Sequence, residues 1–233
     1  MNSIVCKWST QLPKGSVAVW PDGCRDVIAI FEKKQPLRII CSGLDASVRN
    51  VVCTDETRFL GVRLAPGVTF PWDQEGSEKM RLDVSILKHL PSFCRPWDFG
   101  TDHEDVFNEL VRQIAYLASP APNWLGDYFQ HLWTEKKGRD CAFSERSLRR
   151  KLVQTTGASP KFWQRLARVR KAGMAISRSD HPLAAIAADY GFSDQAHMNR
   201  EIRRWFGCTP MMLRANREQA FARLTAPNAF HEF

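Results

Sequence analysis

The sequence predicts a two-domain α+β chain: a mainly antiparallel β half, a small barrel or sandwich with a trailing helix, followed by an all-α half built on a repeated two-helix unit. Three observations predict it. Residues 16–64 break into short β-rich runs, the hydrophobic period lengthens to three and four after Gly100, and the ending Gly-x-[Ser/Thr]-Pro occurs twice in the C-terminal half. The 233 residues are 44% hydrophobic and 25% charged, which excludes wholesale disorder, a collagen-like repeat and a disulfide-dominated miniprotein.

The β-rich runs are Ser16-Val-Ala-Val-Trp20, Asp26-Val-Ile-Ala-Ile-Phe31, Leu37-Arg-Ile-Ile-Cys41, residues 48–52 and Phe59-Leu-Gly-Val-Arg-Leu64. Pro13-Lys-Gly15, Pro21-Asp-Gly23, Gln35-Pro36, Gly43 and Pro66-Gly67 separate them, supplying fixed or positive φ where the chain reverses. After Gly100, Asp102 is placed to cap a helix whose residues Val106, Phe107, Leu110, Val111, Ile114 and Leu117 form one apolar stripe. Ser119-Pro-Ala-Pro122 stops that helix, because proline has no amide hydrogen and forces its predecessor out of the α region. The expected division is residues 1–120 as a β-rich domain with its trailing helix, residues 121–220 as a helical domain and residues 221–233 as a tail.

Within the helical half, Leu183, Ile186, Ala187 and Tyr190 make an apolar stripe, Gly191 can end that helix left-handed, and Ser193 can cap the next. In the second helix Met198, Ile202, Trp205 and Phe206 face inward. Ala196, His197, Asn199, Arg200, Arg203 and Arg204 are left on other faces. A helix, a tight turn and a second helix that presents Arg and polar side chains is the layout of a helix-turn-helix, whose second helix enters the major groove. An earlier copy starts at Ser144, with Leu148 and Leu152 inward and Arg146, Arg149, Arg150 and Lys151 outward. Both copies end alike, as Gly157-Ala-Ser-Pro160 and Gly207-Cys-Thr-Pro210. Between them residues 160–176 read as a connecting helix, with Phe162, Leu166, Val169 and Ile176 inward and Arg165, Arg168, Arg170 and Lys171 outward.

Charge follows the same division. Residues 1–135 hold 14 basic and 17 acidic residues, a net −3, whereas residues 136–233 hold 19 and 8, a net +11. A basic block of this size favours a polyanion, through release of condensed counterions; a solvated Lys/Arg surface is the plain alternative.

Residues 123–217 resemble the AraC/XylS family of bacterial transcription regulators, most strongly at Ile186-Ala-Ala-Asp-Tyr-Gly-Phe-Ser-Asp-Gln195 and Arg203-Arg-Trp-Phe-Gly-Cys-Thr-Pro210. The resemblance implies a double helix-turn-helix module whose two recognition helices read successive major-groove turns of double-stranded DNA. On it, Arg146, Arg149, Arg150, Ala196, His197 and Arg200 are placed to meet base edges, while Ser144, Lys151, Ser193, Gln195, Asn199 and Arg203 are placed to meet phosphates. The chain departs from the family where the first unit needs an apolar helix before its turn, since Thr134-Glu-Lys-Lys-Gly-Arg-Asp140 is polar with an internal glycine. Either the supporting helix is displaced to residues 124–133, or the first unit mainly grips the backbone. The N-terminal half, through Trp20-Pro-Asp-Gly-Cys-Arg-Asp26 and Gly61-Val-Arg-Leu-Ala-Pro-Gly67, is similar to a poorly characterised cupin-like domain of some AraC-type regulators. That implies a domain for a small-molecule effector, for self-association into a homodimer, or for both, with RNA polymerase as a further partner if the regulator activates.

Asp22, Cys24, Arg25, Asp26 and Arg63 form a candidate effector pocket, with Arg63 receiving an anionic group. The plainer reading, a turn at Pro21-Asp-Gly23 and a structural ion pair at Arg63, carries more weight. Cys24 beside Arg25 could be an activated thiol, which keeps a DNA-binding repair or redox enzyme as the rival function, against a buried, inert cysteine. The seven cysteines never form Cys-x-x-Cys and the six histidines have no metal-ligand spacing, so neither a metal nor a cofactor is expected. Trp163, Trp205, Phe162, Phe192 and Phe206 are read as core packing. No apolar run is long enough to cross a membrane, and the first twenty residues lack an export pattern, so a cytoplasmic, non-enzymatic regulator is expected.

Overall fold

In the computed structural model, residues 3–33, 35–73, 83–94, 97–134 and 143–229 are described. The N-terminal half carries β1 (Ile4–Leu12), β2 (Gly15–Val19), β3 (Arg25–Glu32), β4 (Arg38–Cys41), β5 (Arg49–Cys53), β6 (Thr57–Leu64) and the short β7 (Val84–Ser85). They form a five-stranded sheet in the order β1-β6-β3-β4-β7 and a two-stranded sheet of β2 and β5; the pairings are antiparallel. The barrel alternative is thereby corrected to two separate sheets. The sheet centre lies at β3 and β6, which run in register from Arg25 opposite Leu64 to Glu32 opposite Thr57. Both are buried along most of their length, since each has a strand on either side.

The strand pleat sorts β3 by face. Val27, Ala29 and Phe31 point into the apolar core, while Asp26, Ile28, Ile30 and Glu32 line a cavity on the other side. β1 was not among the expected strands. Its sequence, Ile-Val-Cys-Lys-Trp-Ser-Thr-Gln-Leu, alternates poorly because it is a sheet edge with much of its length exposed.

Helix α1 (His103–Leu117) starts where expected, with the Asp102 carboxylate accepting from the Glu104 amide, and buries Val106, Phe107, Leu110 and Ile114 beside β6. It ends before Pro120, and Ser119 then pairs with Thr69. Among the described residues seven helices follow: α2 (Asn123–Thr134), α3 (Glu145–Thr156), α4 (Pro160–Arg178), α5 (Leu183–Asp189), α6 (Gln195–Phe206), α7 (Pro210–Ala215) and α8 (Arg217–Thr225). Residues 135–142, which include most of the polar segment where the chain departs from the family pattern, lie outside the described residues.

One continuous apolar cluster runs from Cys24 through α1, α2 and α4 to Ala229, so the two halves share a core. Gly23, at φ 82°, lies on the seam. A Cβ there would sit 2.7 Å from both the Trp163 ring and the Ala229 Cβ, so the position needs glycine for its conformation and for its lack of a side chain. Beyond α8, the Ala229 amide donates to Asp22 O, and Arg63 donates to Pro227 O. Residues 226–229 thus lie against the β half.

Candidate nucleic-acid interface

α3 and α6 are built by the same local chemistry. The Ser144 hydroxyl accepts from the Ser147 amide at the start of α3, and the Asp194 carboxylate accepts from the His197 amide at the start of α6. Asp194 therefore holds the cap expected of Ser193. A carboxylate is the stronger acceptor, and that amide holds it below the usual carboxylate range. The Ser193 hydroxyl instead lies 3.0 Å from His197 Nδ1 and 3.4 Å from Asp194 Oδ2. Both helices end in a left-handed glycine, Gly157 at φ 71° and Gly207 at φ 70°. Ser159 and Thr209 then cap the following helices, whose first residues are Pro160 and Pro210.

The inward faces are anchored by Leu152 in α3 and by Met198, Ile202, Trp205 and Phe206 in α6, all buried. Trp163 Nε1 donates to the buried Thr156 hydroxyl, which bonds back to Leu152 O. Those anchors leave Ser144, Arg146, Arg149 and Arg150 exposed on one helix and Ser193, Gln195, Ala196, Arg200 and Arg203 exposed on the other. Lys151 is half-buried, its ammonium 4.5 Å from the Phe143 ring centroid. His197 is half-buried edge-on to Phe192. Asn199 is half-buried too, with its Oδ1 enclosed and unpaired among the described residues. His197 and Asn199 are thus less available than their helical positions suggest.

The cations of α4 do not form the outward row expected of them. Arg170 is 1% exposed and donates to Pro21 O and Leu224 O, tying α4 to the β half and to α8. Arg168 donates to Gly191 O in the turn between α5 and α6, and Lys171 donates to Leu132 O in α2. Arg165 lies 3.8 Å from Glu201 of α6. These contacts are long-range in sequence, which is why helical periodicity gave no sign of them. The α6 residue Arg204, also read as outward, donates to Ala46 O, while its own carbonyl accepts from the Val48 amide.

A family model described as a helix-turn-helix domain matches residues 139–216. The transcriptional activator RhaS of Klebsiella pneumoniae is 33% identical over 182 residues, covering 67% of this chain and 66% of that protein. The RhaS of Salmonella arizonae is 33% identical over 120 residues, covering 51% of this chain and 39% of that protein. Over residues 139–216 the chain carries a helix-turn-helix domain of the AraC type. It spans less than two thirds of the length of these relatives. Among solved structures, ToxT of Vibrio cholerae aligns over 97% of this chain and 100% of its own at 10% identity, with a TM-score of 0.40.

In the β half the residues proposed for an effector separate into two groups. Arg25 does not line the cavity; it is buried and donates twice to Asp73 (2.9 and 2.8 Å), once to Ser42 O and once to Cys41 Sγ. A guanidinium with its donors so committed is a structural ion pair. Asp22, Cys24, Asp26 and Arg63 do line a cavity of about 540 Å³, enclosed by one face of the large sheet and by β2 and β5. Arg63 lies between Asp22 at 2.8 Å and Asp26 at 3.1 Å, so it is an ion pair that also forms cavity wall. Burial pushes the Asp22 carboxyl above its ordinary range; Arg63 pulls it back and Asp26 pushes it up again. Cys24 is buried and its thiol is held well above the ordinary value, first by burial and then by Asp22, the opposite of an activated thiolate. Trp8 and Trp20 also line this cavity. The unrecognised β1 hid Trp8, and Trp20 stood in a quoted motif without an assigned role.

Proposed function

We propose that this chain is a cytoplasmic, sequence-specific regulator of transcription, in which α3 and α6 enter successive major grooves of duplex DNA and the β half carries effector control, self-association or both. The observation that carries the proposal is the pairing of α3 and α6: each is capped, anchored by a buried stripe, closed by a left-handed glycine and left with exposed Arg on its free face. Arg146, Arg149, Arg150, Ala196, His197 and Arg200 are assigned to base edges, since Arg pairs bidentately with guanine and Ala meets a thymine methyl. Ser144, Lys151, Ser193, Gln195, Asn199 and Arg203 are assigned to phosphates, which set register. The named activity of the RhaS relatives supports the regulatory reading and leaves RNA polymerase as the partner of an activating form. The division into residues 1–120, 121–220 and 221–233 is proposed as functional units, with α8 (Arg217–Thr225) crossing the last boundary.

Selection of bound sites from random duplex DNA tests this reading. Two boxes about one helical turn apart are expected if both heads read bases. A single box assigns α3 to backbone gripping, and no enrichment at all overturns the proposal.

A further inference from the structure

The charges around the cavity specify what kind of small molecule it would hold. Among the described residues its lining includes five carboxylates, Asp22, Asp26, Glu32, Asp45 and Asp83, against three guanidinium groups, Arg38, Arg49 and Arg63. Each arginine is already matched. Arg38 pairs with Glu32, Arg49 lies between Asp45 (2.6 Å) and Asp83 (2.5 Å), and Arg63 lies between Asp22 and Asp26. Arg170 approaches Asp22 from the seam behind the wall, with its own hydrogen bonds on Pro21 O and Leu224 O. Counting it leaves five carboxylates to four guanidinium groups. Among the described residues an entering anion would meet no unpaired cation there and would have to displace a carboxylate from a partly buried ion pair, a costly exchange. A cation would meet the surplus.

The remaining wall adds a second preference. Trp8, Trp20 and Phe59 line the same space, and aromatic faces attract ammonium and guanidinium groups. Ile28, Ile40 and Val51 complete an apolar surface, and the volume falls in the range of small-molecule sites. Trp8 Nε1 donates to Asp26 Oδ1 at 2.8 Å, so one aromatic and one carboxylate are fixed side by side. We propose that this cavity binds an organic cation with an apolar body, its charged end against Asp22 and Asp26 and its body between Trp8 and the β2–β5 sheet. The inference deepens the effector reading of the β half and rests on it, while reversing the sign of the charge first expected for the ligand.

The test is calorimetric titration of the full chain with three probes of one shape: 2-phenylethylammonium, 3-phenylpropanoate and 2-phenylethanol. The ammonium is expected to bind, with the other two at least about tenfold weaker, and Asp26→Asn should weaken the ammonium by about tenfold or more. Asn keeps an acceptor for Trp8 and leaves Arg63 with Asp22. If that variant fails to fold, Asp45→Asn at the Arg49 site removes one of the surplus charges, and a several-fold loss is expected there too. Tighter binding of the carboxylate or the alcohol overturns the ligand class and leaves the effector reading standing. Binding of none of the three up to millimolar concentration overturns both.

Discussion

Arg200 is exposed in the second turn of α6, and its charge helps hold the Asp194 carboxyl below its ordinary range. Replacing it with alanine is expected to weaken a selected site by about 1–3 kcal/mol and to flatten preference at one base step, measured by competition among single-base variants of the site. Equal loss on every sequence would instead make it a phosphate contact. The thiols give a second expectation. Burial pushes Cys41 up to about 12 and Cys24 well above its ordinary value, so both are neutral thiols at pH 7. Alkylation of these two in the folded chain should be slow at pH 8 and rapid in denaturant. Because both native values lie above those of the unfolded chain, folding is favoured below about pH 9 and loses that contribution as pH rises towards the native values. One fast-reacting Cys24 would revive the rival reading as a redox or repair enzyme.

The helices show how far a local pattern reaches. The stripes, the glycine stops and the Ser144 cap of α3 and α6 were legible because a 3.6-residue period and a capping residue are written in adjacent positions. What could not be read was decided by contacts across the chain: edge strand β1, whose partner is β6, and the α4 cations, whose acceptors lie in the β half, α2, α8 and the α5–α6 turn. The cavity was half legible for the same reason, since Asp22, Asp26 and Arg63 could be flagged in sequence but their mutual neutralisation could not. This distinction is measurable. Arg168→Ala is expected to weaken DNA binding by loosening the α5–α6 turn without changing the slope of log K against log salt. Arg149→Ala, if that residue reaches a phosphate instead of a base, should make the slope shallower by about 0.9.

At the scale of the whole molecule, the two halves are joined by direct side-chain and backbone contacts. The Trp20 and Phe206 ring centroids lie 4.8 Å apart, Arg223 covers Trp20 at 5.1 Å, and the Val48 amide holds Arg204 O at 3.0 Å. The chain is expected to unfold in one cooperative step in urea, by circular dichroism and tryptophan fluorescence alike. Arg170→Met should lower its stability by about 1–3 kcal/mol for each of the two carbonyls left without its donor, Pro21 O and Leu224 O. Two separate transitions in the unmodified chain would show that the seam is weaker than its contacts imply. The α4 contacts also carry a consequence for the DNA. Because α4 is tied to α3 through the Trp163–Thr156 hydrogen bond and to the α5–α6 turn through Arg168, the two heads proposed above would act as a caliper with a fixed gap. Five base pairs inserted between the boxes would turn one of them to the far side of the duplex, and ten would restore the facing but not the gap, which grows by about 34 Å. A promoter read by this protein would therefore tolerate substitutions between its boxes and reject insertions of either length.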